Sequence, residues 1–203
     1  MKSLFAMLLL GMVPLAHGST VFDNGSPDLL GGLASDVSTP FVVFDDVSLG
    51  SSATVRSVQW WGVYYSDNTP LTDAFTIRLY VDVAGAPSAS AFATYAVSAT
   101  RQDTGTLVLG ALNNYLYSAN IPDTLLASGT YWISIVNDTT NDTNDNWYWA
   151  TSQSTGNAIQ LTTTNSGEMA FVLSDTVVVP EPGTLLLGVA GFAALALLRR
   201  RRA

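Results

Sequence analysis

Alternation of apolar and polar residues dominates the middle of this 203-residue chain. Its clearest example is the segment 75–83, F-T-I-R-L-Y-V-D-V, in which apolar residues occupy every second position. Successive side chains of a β-strand point to opposite faces of the sheet, so this pattern predicts a strand with one buried and one exposed face. Between residues 19 and 178 no stretch has a convincing helical period with caps. The pattern therefore predicts β-structure.

Similar patterns, bounded by turns rich in Gly, Pro, Asn and Asp, predict further strands. They cover residues 41–49, 53–65, 92–99, 104–109, 114–121, 131–136, 147–151, 158–163 and 169–173. Residues 21–40 predict an extended arm with one short strand at Val21 and Phe22, and Gly62 predicts a bulge. About ten strands with this spacing predict an all-β domain, an antiparallel β-sandwich of the jelly-roll type.

The amino terminus has the pattern of a secretory signal peptide. Lys2 precedes an apolar run at 4–15, and Ala16 and Gly18 are the small residues of a cleavage site before Ser19. This predicts a signal helix that directs the chain to the Sec translocon and is removed by signal peptidase. The mature chain then begins at Ser19.

The C-terminal segment 179–203 combines a P-E-P motif, an apolar run at 184–198 and an arginine cluster. The motif and the cluster are formed by Pro180, Glu181, Pro182, Arg199, Arg200, Arg201 and Arg202. As a helix the apolar run spans roughly 22 Å, less than the ~30 Å hydrocarbon core, but arginine side chains can extend to the headgroups. We expect a transmembrane helix with the arginines in the cytoplasm and the preceding domain outside.

This three-part tail resembles the PEP-CTERM sorting domain of Gram-negative bacteria that make extracellular polysaccharide. The resemblance implies that an exosortase, a membrane cysteine protease, recognises the P-E-P motif and processes the chain nearby. The apolar helix would anchor the chain in the inner membrane until then, with the arginine cluster as the stop signal. After processing, the domain would be at the cell surface or outside the cell.

The domain between the two termini, residues 19–178, also carries a resemblance. The blocks D-D-V-S-L, V-Q-W-W-G-V-Y, F-T-I-R-L-Y-V-D-V-A-G-A-P, G-T-Y-W-I-S-I-V-N and W-Y-W-A-T are similar to a β-sandwich ectodomain of exosortase substrates. This resemblance implies a fold and a location, without an activity.

Charge and composition restrict the functions of this domain. Between residues 19 and 178 there are 14 Asp and Glu168 against three arginines, which gives a net charge of −12 and excludes nucleic acid as a partner. The chain has no cysteine, and its one histidine, His17, is lost with the signal peptide. Catalysis by a Ser/His/Asp or Cys/His arrangement and histidine-ligated zinc are therefore excluded. We expect a domain without disulfides that is not an enzyme.

Carboxylates form two candidate calcium sites. Asp138, Asp142 and Asp145 lie in the Asx-rich loop 137–146, and calcium prefers such oxygen ligands. The alternative is a solvated hairpin loop of turn-forming residues.

The second candidate site joins the adjacent pair Asp45 and Asp46 with Asp82. The alternative is that the pair protects a strand edge from association. No cofactor other than calcium is expected.

Tryptophans form a candidate sugar-binding platform. Neighbouring strand residues point to opposite faces, so at least one member of the pair 60–61 and of the triplet 147–149 should leave the core unless a second layer covers it. Exposed Trp61, Trp147 or Trp149 could stack on a sugar ring. The alternative is that both faces of these strands are covered.

These patterns predict an exported protein of the cell surface or extracellular matrix. Its expected role is structural or adhesive and linked to extracellular polysaccharide. The alternative function is a lectin-like carbohydrate-binding module. The expected partners are the Sec translocon, signal peptidase, an exosortase, the lipid bilayer before processing, and polysaccharide.

Overall fold

The computed structural model describes residues 19–65, 73–141, 146–160 and 163–178. All regular secondary structure in these residues is β, which confirms the predicted class. No helix in the described part of the chain is long and apolar enough to span a bilayer. The predicted signal peptide and anchor helix lie outside the described residues.

The described residues contain thirteen strands. They are β1 (Thr20–Asp23), β2 (Pro27–Ala34), β3 (Val43–Leu49), β4 (Ala53–Tyr64), β5 (Phe75–Val81), β6 (Ala93–Val97), β7 (Thr100–Val108), β8 (Leu112–Leu126), β9 (Gly129–Val136), β10 (Trp147–Ser152), β11 (Asn157–Gln160), β12 (Thr163–Ser166) and β13 (Phe171–Ser174).

The strands form two antiparallel sheets. In the larger sheet, β4 pairs with β8 along one side and with β13 and β10 along the other. Strands β1, β2 and β7 extend this sheet beyond β13, β10 and β8. The smaller sheet has the order β12-β11-β3-β9-β5-β6. The chain passes repeatedly from one sheet to the other, so each layer is built from distant parts of the sequence.

Aromatic side chains from both sheets form the centre of the core. Phe75 of the smaller sheet contacts Trp60, Trp147 and Tyr117 of the larger sheet, with ring centroids 5.0, 5.1 and 4.8 Å apart. All three contacts have the edge-to-face geometry that stabilises aromatic pairs by about 0.5–1.5 kcal/mol beyond their buried area. This aromatic core (Trp60, Phe75, Tyr117 and Trp147) holds the two layers together.

Gly62 does not form the predicted bulge. It pairs in regular register with both neighbouring strands, and the register of β4 shifts instead between Val55 and Ser57. A Cβ atom at position 62 would lie 2.5 Å from the indole of Trp147. The glycine therefore gives this ring room to pack directly on the backbone of β4.

Two segments form more strand than the sequence predicts. The expected extended arm contains β1 and β2, which pair with β13 and β10. The single strand expected at 158–163 is a pair, β11 and β12. Strands at the margin of a sheet are held by main-chain hydrogen bonds and need little apolar alternation, so the sequence pattern missed them.

Candidate functional site

Three carboxylates come together where the chain crosses between the sheets. Asp45 and Asp46 lie on β3, and Glu168 lies in the connection from β12 to β13. One oxygen from each lies within 4.8 Å of the others. We call this group the acidic cluster (Asp45, Asp46 and Glu168). The sequence pattern grouped the two aspartates with Asp82 and did not connect them with Glu168.

Asp45 occupies a core position. Every second residue of β3 is buried, and Asp45 is one of them, with 0% of its surface exposed. A buried carboxyl group is costly unless it is hydrogen-bonded. Its oxygens accept hydrogen bonds from the main-chain N–H groups of Asp46 (2.9 Å) and Met169, which offset part of this cost.

Asn24 connects the acidic cluster to the larger sheet. It follows β1, and its Nδ2 atom lies 3.0 Å from Asp45 Oδ2, from Glu168 Oε2 and from the main-chain oxygen of Met169. Asp45 belongs to the smaller sheet. The carboxamide therefore joins both layers and the crossing segment at one point.

Burial changes the protonation of the cluster. It raises the pKa of Asp45 from 3.8 to about 10, helped by the hydrogen bond and the repulsion from Glu168. This shift favours the protonated form of Asp45 at neutral pH. Burial also raises the pKa of Asp46, with repulsion from Glu168 and Asp82 as further causes.

The loop before β11 is shaped to receive Glu168. A Cβ atom at Gly156 would lie 1.3 Å from Glu168 Oε1, so any other residue would displace the carboxylate. The backbone of Gly156 is not in the left-handed region, and the position requires glycine for space alone.

An open cavity of about 480 Å³ adjoins the acidic cluster. Its lining includes Asp46, Glu168, Asp82 and Trp132. The indole N–H of Trp132 donates a hydrogen bond to Asp82 Oδ1 (2.8 Å), which fixes this carboxylate on the cavity wall. Asp46 and Asp82 thus share a cavity, whereas Asp45, the third residue of the second calcium hypothesis, does not belong to its lining.

The edge-protection alternative for Asp45 and Asp46 is wrong. Strand β3 lies between β9 and β11 in the smaller sheet, with β11 paired to Val43 and Phe44, and Asp45 has no exposed surface that could repel another strand. The carboxylates instead need compensation for their charge. Either a proton shared by Asp45 and Glu168 or a divalent cation bound to carboxylate oxygens fits this chemistry.

The other predicted calcium loop is only partly described. Asp138 accepts hydrogen bonds from the N–H (3.1 Å) and the hydroxyl (2.6 Å) of Thr140, which lower its pKa. Asp142 and Asp145 lie outside the described residues. The Asp138 carboxylate thus accepts hydrogen bonds within its own turn, as expected for a solvated loop.

The prediction of a sugar platform at Trp147 and Trp149 is wrong. Both side chains are 0% exposed: Trp147 belongs to the aromatic core, and Trp149 donates its indole N–H to the Ala170 carbonyl (3.0 Å). They are two positions apart on β10, so both point inward. Strand alternation therefore directs both indoles into the core.

The outer face of the larger sheet carries other aromatic residues. Tyr148 pairs with Val63, Trp61 has the same parity on β4 as Val63, and Tyr65 directly follows the last residue of β4. Tyr65 is 61% exposed, and its ring lies 5.6 Å from that of Tyr148. We call Trp61, Tyr65 and Tyr148 the outer aromatic strip. Trp61 is the one predicted platform residue that reaches this face, where it is half-buried.

Only one of the predicted processing residues is described. Ser19 donates its main-chain N–H to Asp175 Oδ1 (2.8 Å) and accepts a hydrogen bond from the Asp175 N–H (3.1 Å). Outside the described residues are Ala16, Gly18, Pro180, Glu181, Pro182, Arg199, Arg200, Arg201 and Arg202. The beginning of the domain therefore lies beside the segment that leads to the tail.

The C-terminal segment matches the model of a known protein family. The family model of the PEP-CTERM protein-sorting motif matches residues 178–202, which begin four positions after Ser174, the last residue of β13. No curated protein and no solved structure matches the chain. The chain thus carries a PEP-CTERM protein-sorting motif and is an exported protein, anchored at its C terminus before processing and sorted by an exosortase.

Proposed function

We propose that this chain is a structural or adhesive protein of the cell surface or extracellular matrix, linked to extracellular polysaccharide and without enzymatic activity. The observation that carries the proposal is the sorting motif at 178–202, which follows a β domain that ends at Ser174. Export through the Sec translocon and removal of residues 1–18 by signal peptidase would precede anchoring. The ectodomain is then periplasmic until an exosortase releases it from the anchor.

The arrangement of the carboxylates supports a role without catalysis. Asp45 has no exposed surface, and Glu168 is 7% exposed. Their oxygens are bonded to Asn24 and to the main chain of the crossing segment. Groups held in this way stabilise the junction of the sheets.

A deletion strain tests the structural role. Cells that lack the gene should form a less cohesive matrix, and the wild-type chain should restore it. A chain with Pro180→Ala, Glu181→Ala and Pro182→Ala, expressed at the same level, should not restore it. Unchanged cohesion in the deletion strain, with no protein in the polysaccharide fraction, would contradict the proposal.

Carbohydrate binding is the second candidate function. The observation that favours it is the outer aromatic strip, because exposed tyrosine rings can stack on sugar rings. In a glycan array, Tyr65→Ala should abolish binding, whereas Phe92→Ala, at another exposed aromatic residue, should not. Absence of binding by the wild-type protein at millimolar sugar, with and without calcium, would remove this function.

A further inference from the structure

The segment 176–178 links the last strand to the sorting motif and lies against the larger sheet. Strand β13 pairs with β4, with Ser174 opposite Ser57. Beyond β13 the chain bonds to β8, which flanks β4 on its other side. The segment therefore crosses over β4, at the place where the register of β4 shifts between Val55 and Ser57.

Two polar side chains fasten this segment. The hydroxyl of Ser57 donates to the main-chain oxygen of Thr176 (2.7 Å). The carboxamide of Asn120 bonds to both main-chain groups of Val178, because Val178 N–H donates to Oδ1 (2.6 Å) and Nδ2 donates to the Val178 oxygen (3.0 Å). Asn120 thus binds the chain as a neighbouring strand would.

Arg56 provides a third attachment just before the segment. Its Nη1 atom donates to the main-chain oxygen of Asp175 (2.9 Å). Its other nitrogens donate to both carboxylate oxygens of Asp123 on β8 (3.1 and 3.0 Å), which orients the guanidinium group. All of these attachments use the main chain of the tail, and the Val177 side chain remains 53% exposed.

The attachments end close to the protease motif. Pro180 is two positions after Val178, so the motif can extend only about 7 Å from the folded body while the segment is fastened. Release of residues 176–178 would add roughly 10 Å of extended chain. While the segment is fastened, the folded domain would hinder a membrane protease that must surround the motif. After residues 176–178 are released, the longer tether would give the protease room.

We propose that Ser57, Asn120 and Arg56 form a tail clamp that limits exosortase access to the sorting motif, so that processing proceeds from the state in which residues 176–178 have been released. The three are positioning residues, since none of them is in the motif. The inference rests on the proposed processing of this chain by an exosortase. If only the released state is cleaved, the processing rate is proportional to its population.

Pulse-chase labelling of the full chain in a host that contains the exosortase tests the clamp. Asn120→Ala removes both bonds to Val178 and should shorten the half-life of the anchored precursor by about two-fold or more, because the released fraction rises. Gln102→Ala, an exposed amide on β7 of the same sheet, is the matched control and should leave the half-life unchanged. An unchanged or longer half-life for Asn120→Ala would overturn the proposal.

A second variant tests the clamp without a substitution in the folded domain, so its result does not depend on whether Asn120→Ala folds correctly. Insertion of Gly-Ser-Gly-Ser between Val178 and Val179 lengthens the tether and leaves the clamp intact. It should also accelerate processing, and Asn120→Ala should accelerate the inserted chain less than it accelerates the wild type. If Asn120→Ala accelerated processing equally in the wild type and in the inserted chain, the clamp would not act by limiting the distance between the motif and the folded domain.

The same experiment separates two kinds of failure. If the wild-type chain is not processed even though the exosortase is active on another substrate, the proposed sorting function is wrong. If the wild type is processed and the clamp variants behave like it, the sorting function stands and the clamp is wrong.

Discussion

The aromatic core and the acidic cluster join the two sheets by different physical means. In the aromatic core, Phe75 contacts three rings of the larger sheet, and the contribution comes from buried apolar area and ring geometry. In the acidic cluster, Asn24, Asp45 and Glu168 join the layers by hydrogen bonds. The first region depends on shape and volume, whereas the second depends on protonation and on room for each polar atom.

The largest expected effect is a cavity in the aromatic core. Phe75→Ala should lower the free energy of unfolding by about 3–5 kcal/mol, because it removes a buried ring that contacts three strands of the larger sheet. Urea unfolding of the exported protein measures the change. Phe92→Ala, at a residue that is 47% exposed, is the control and should cost no more than about 1 kcal/mol. Similar losses of unfolding free energy at the two positions would contradict the placement of Phe75 at the centre of the core.

A smaller loss of stability is expected when an added Cβ atom occupies the space that the Glu168 carboxylate fills. Gly156→Ala should lower the free energy of unfolding by about 1–3 kcal/mol, because the displaced Glu168 carboxylate loses its hydrogen bonds. Gly31→Ala is the matched control, since nothing lies within 4 Å of a Cβ atom there. Equal, small changes in the free energy of unfolding for both substitutions would show that the Glu168 carboxylate does not pack against Gly156.

The two regions should also differ in their response to pH. Because the pKa of Asp45 is raised from 3.8 to about 10, the folded state binds a proton that the unfolded state releases. This contribution to stability is complete below pH 3.8 and decreases as the pH rises toward 10. The melting temperature should therefore fall between about pH 5 and about pH 9, and Asp45→Asn should reduce this dependence.

The aromatic core should not contribute to that pH dependence. Tyr117 is its one titratable residue, and burial raises the pKa of Tyr117, so this phenol remains neutral in this range. A pH profile that is the same in the wild type and in Asp45→Asn would contradict a shared proton at the acidic cluster.

The smallest effect is expected from calcium. If the proton already compensates the acidic cluster, millimolar calcium should change the melting temperature at neutral pH by less than about 2 °C, because little binding energy is added to the folded state. Differential scanning fluorimetry with calcium and with EDTA measures this difference. A rise of several degrees that Glu168→Gln abolishes would show instead that a cation occupies the cluster.

Alternation of apolar and polar residues predicted the strands that have one apolar face and missed the strands that lack such a face. The segment 75–83 contains β5, in which Phe75, Ile77 and Leu79 are buried as expected. Strand β2 has no such pattern because it includes Gly31 and Gly32, and its place in the sheet comes from pairing with β10. Main-chain pairing of this kind leaves no periodic signal in the sequence.

The acidic cluster was predictable only in part. The adjacent pair Asp45 and Asp46 is visible in the sequence, but its contact with Glu168 depends on where the chain crosses from β12 to β13. That Trp147 and Trp149 share a face could have been predicted, since residues two apart on a strand point the same way. The same rule places Tyr148 on the outer face, where it contacts Tyr65.

The intact mass of the protein, in strains with and without the exosortase, tests the central claim most directly. With the exosortase, we expect a product outside the inner membrane that begins at Ser19 and has lost the arginine cluster. Without the exosortase, the product should begin at Ser19, keep its tail and remain in the membrane fraction. A soluble cytoplasmic chain that retains residues 1–203 in both strains would contradict the account.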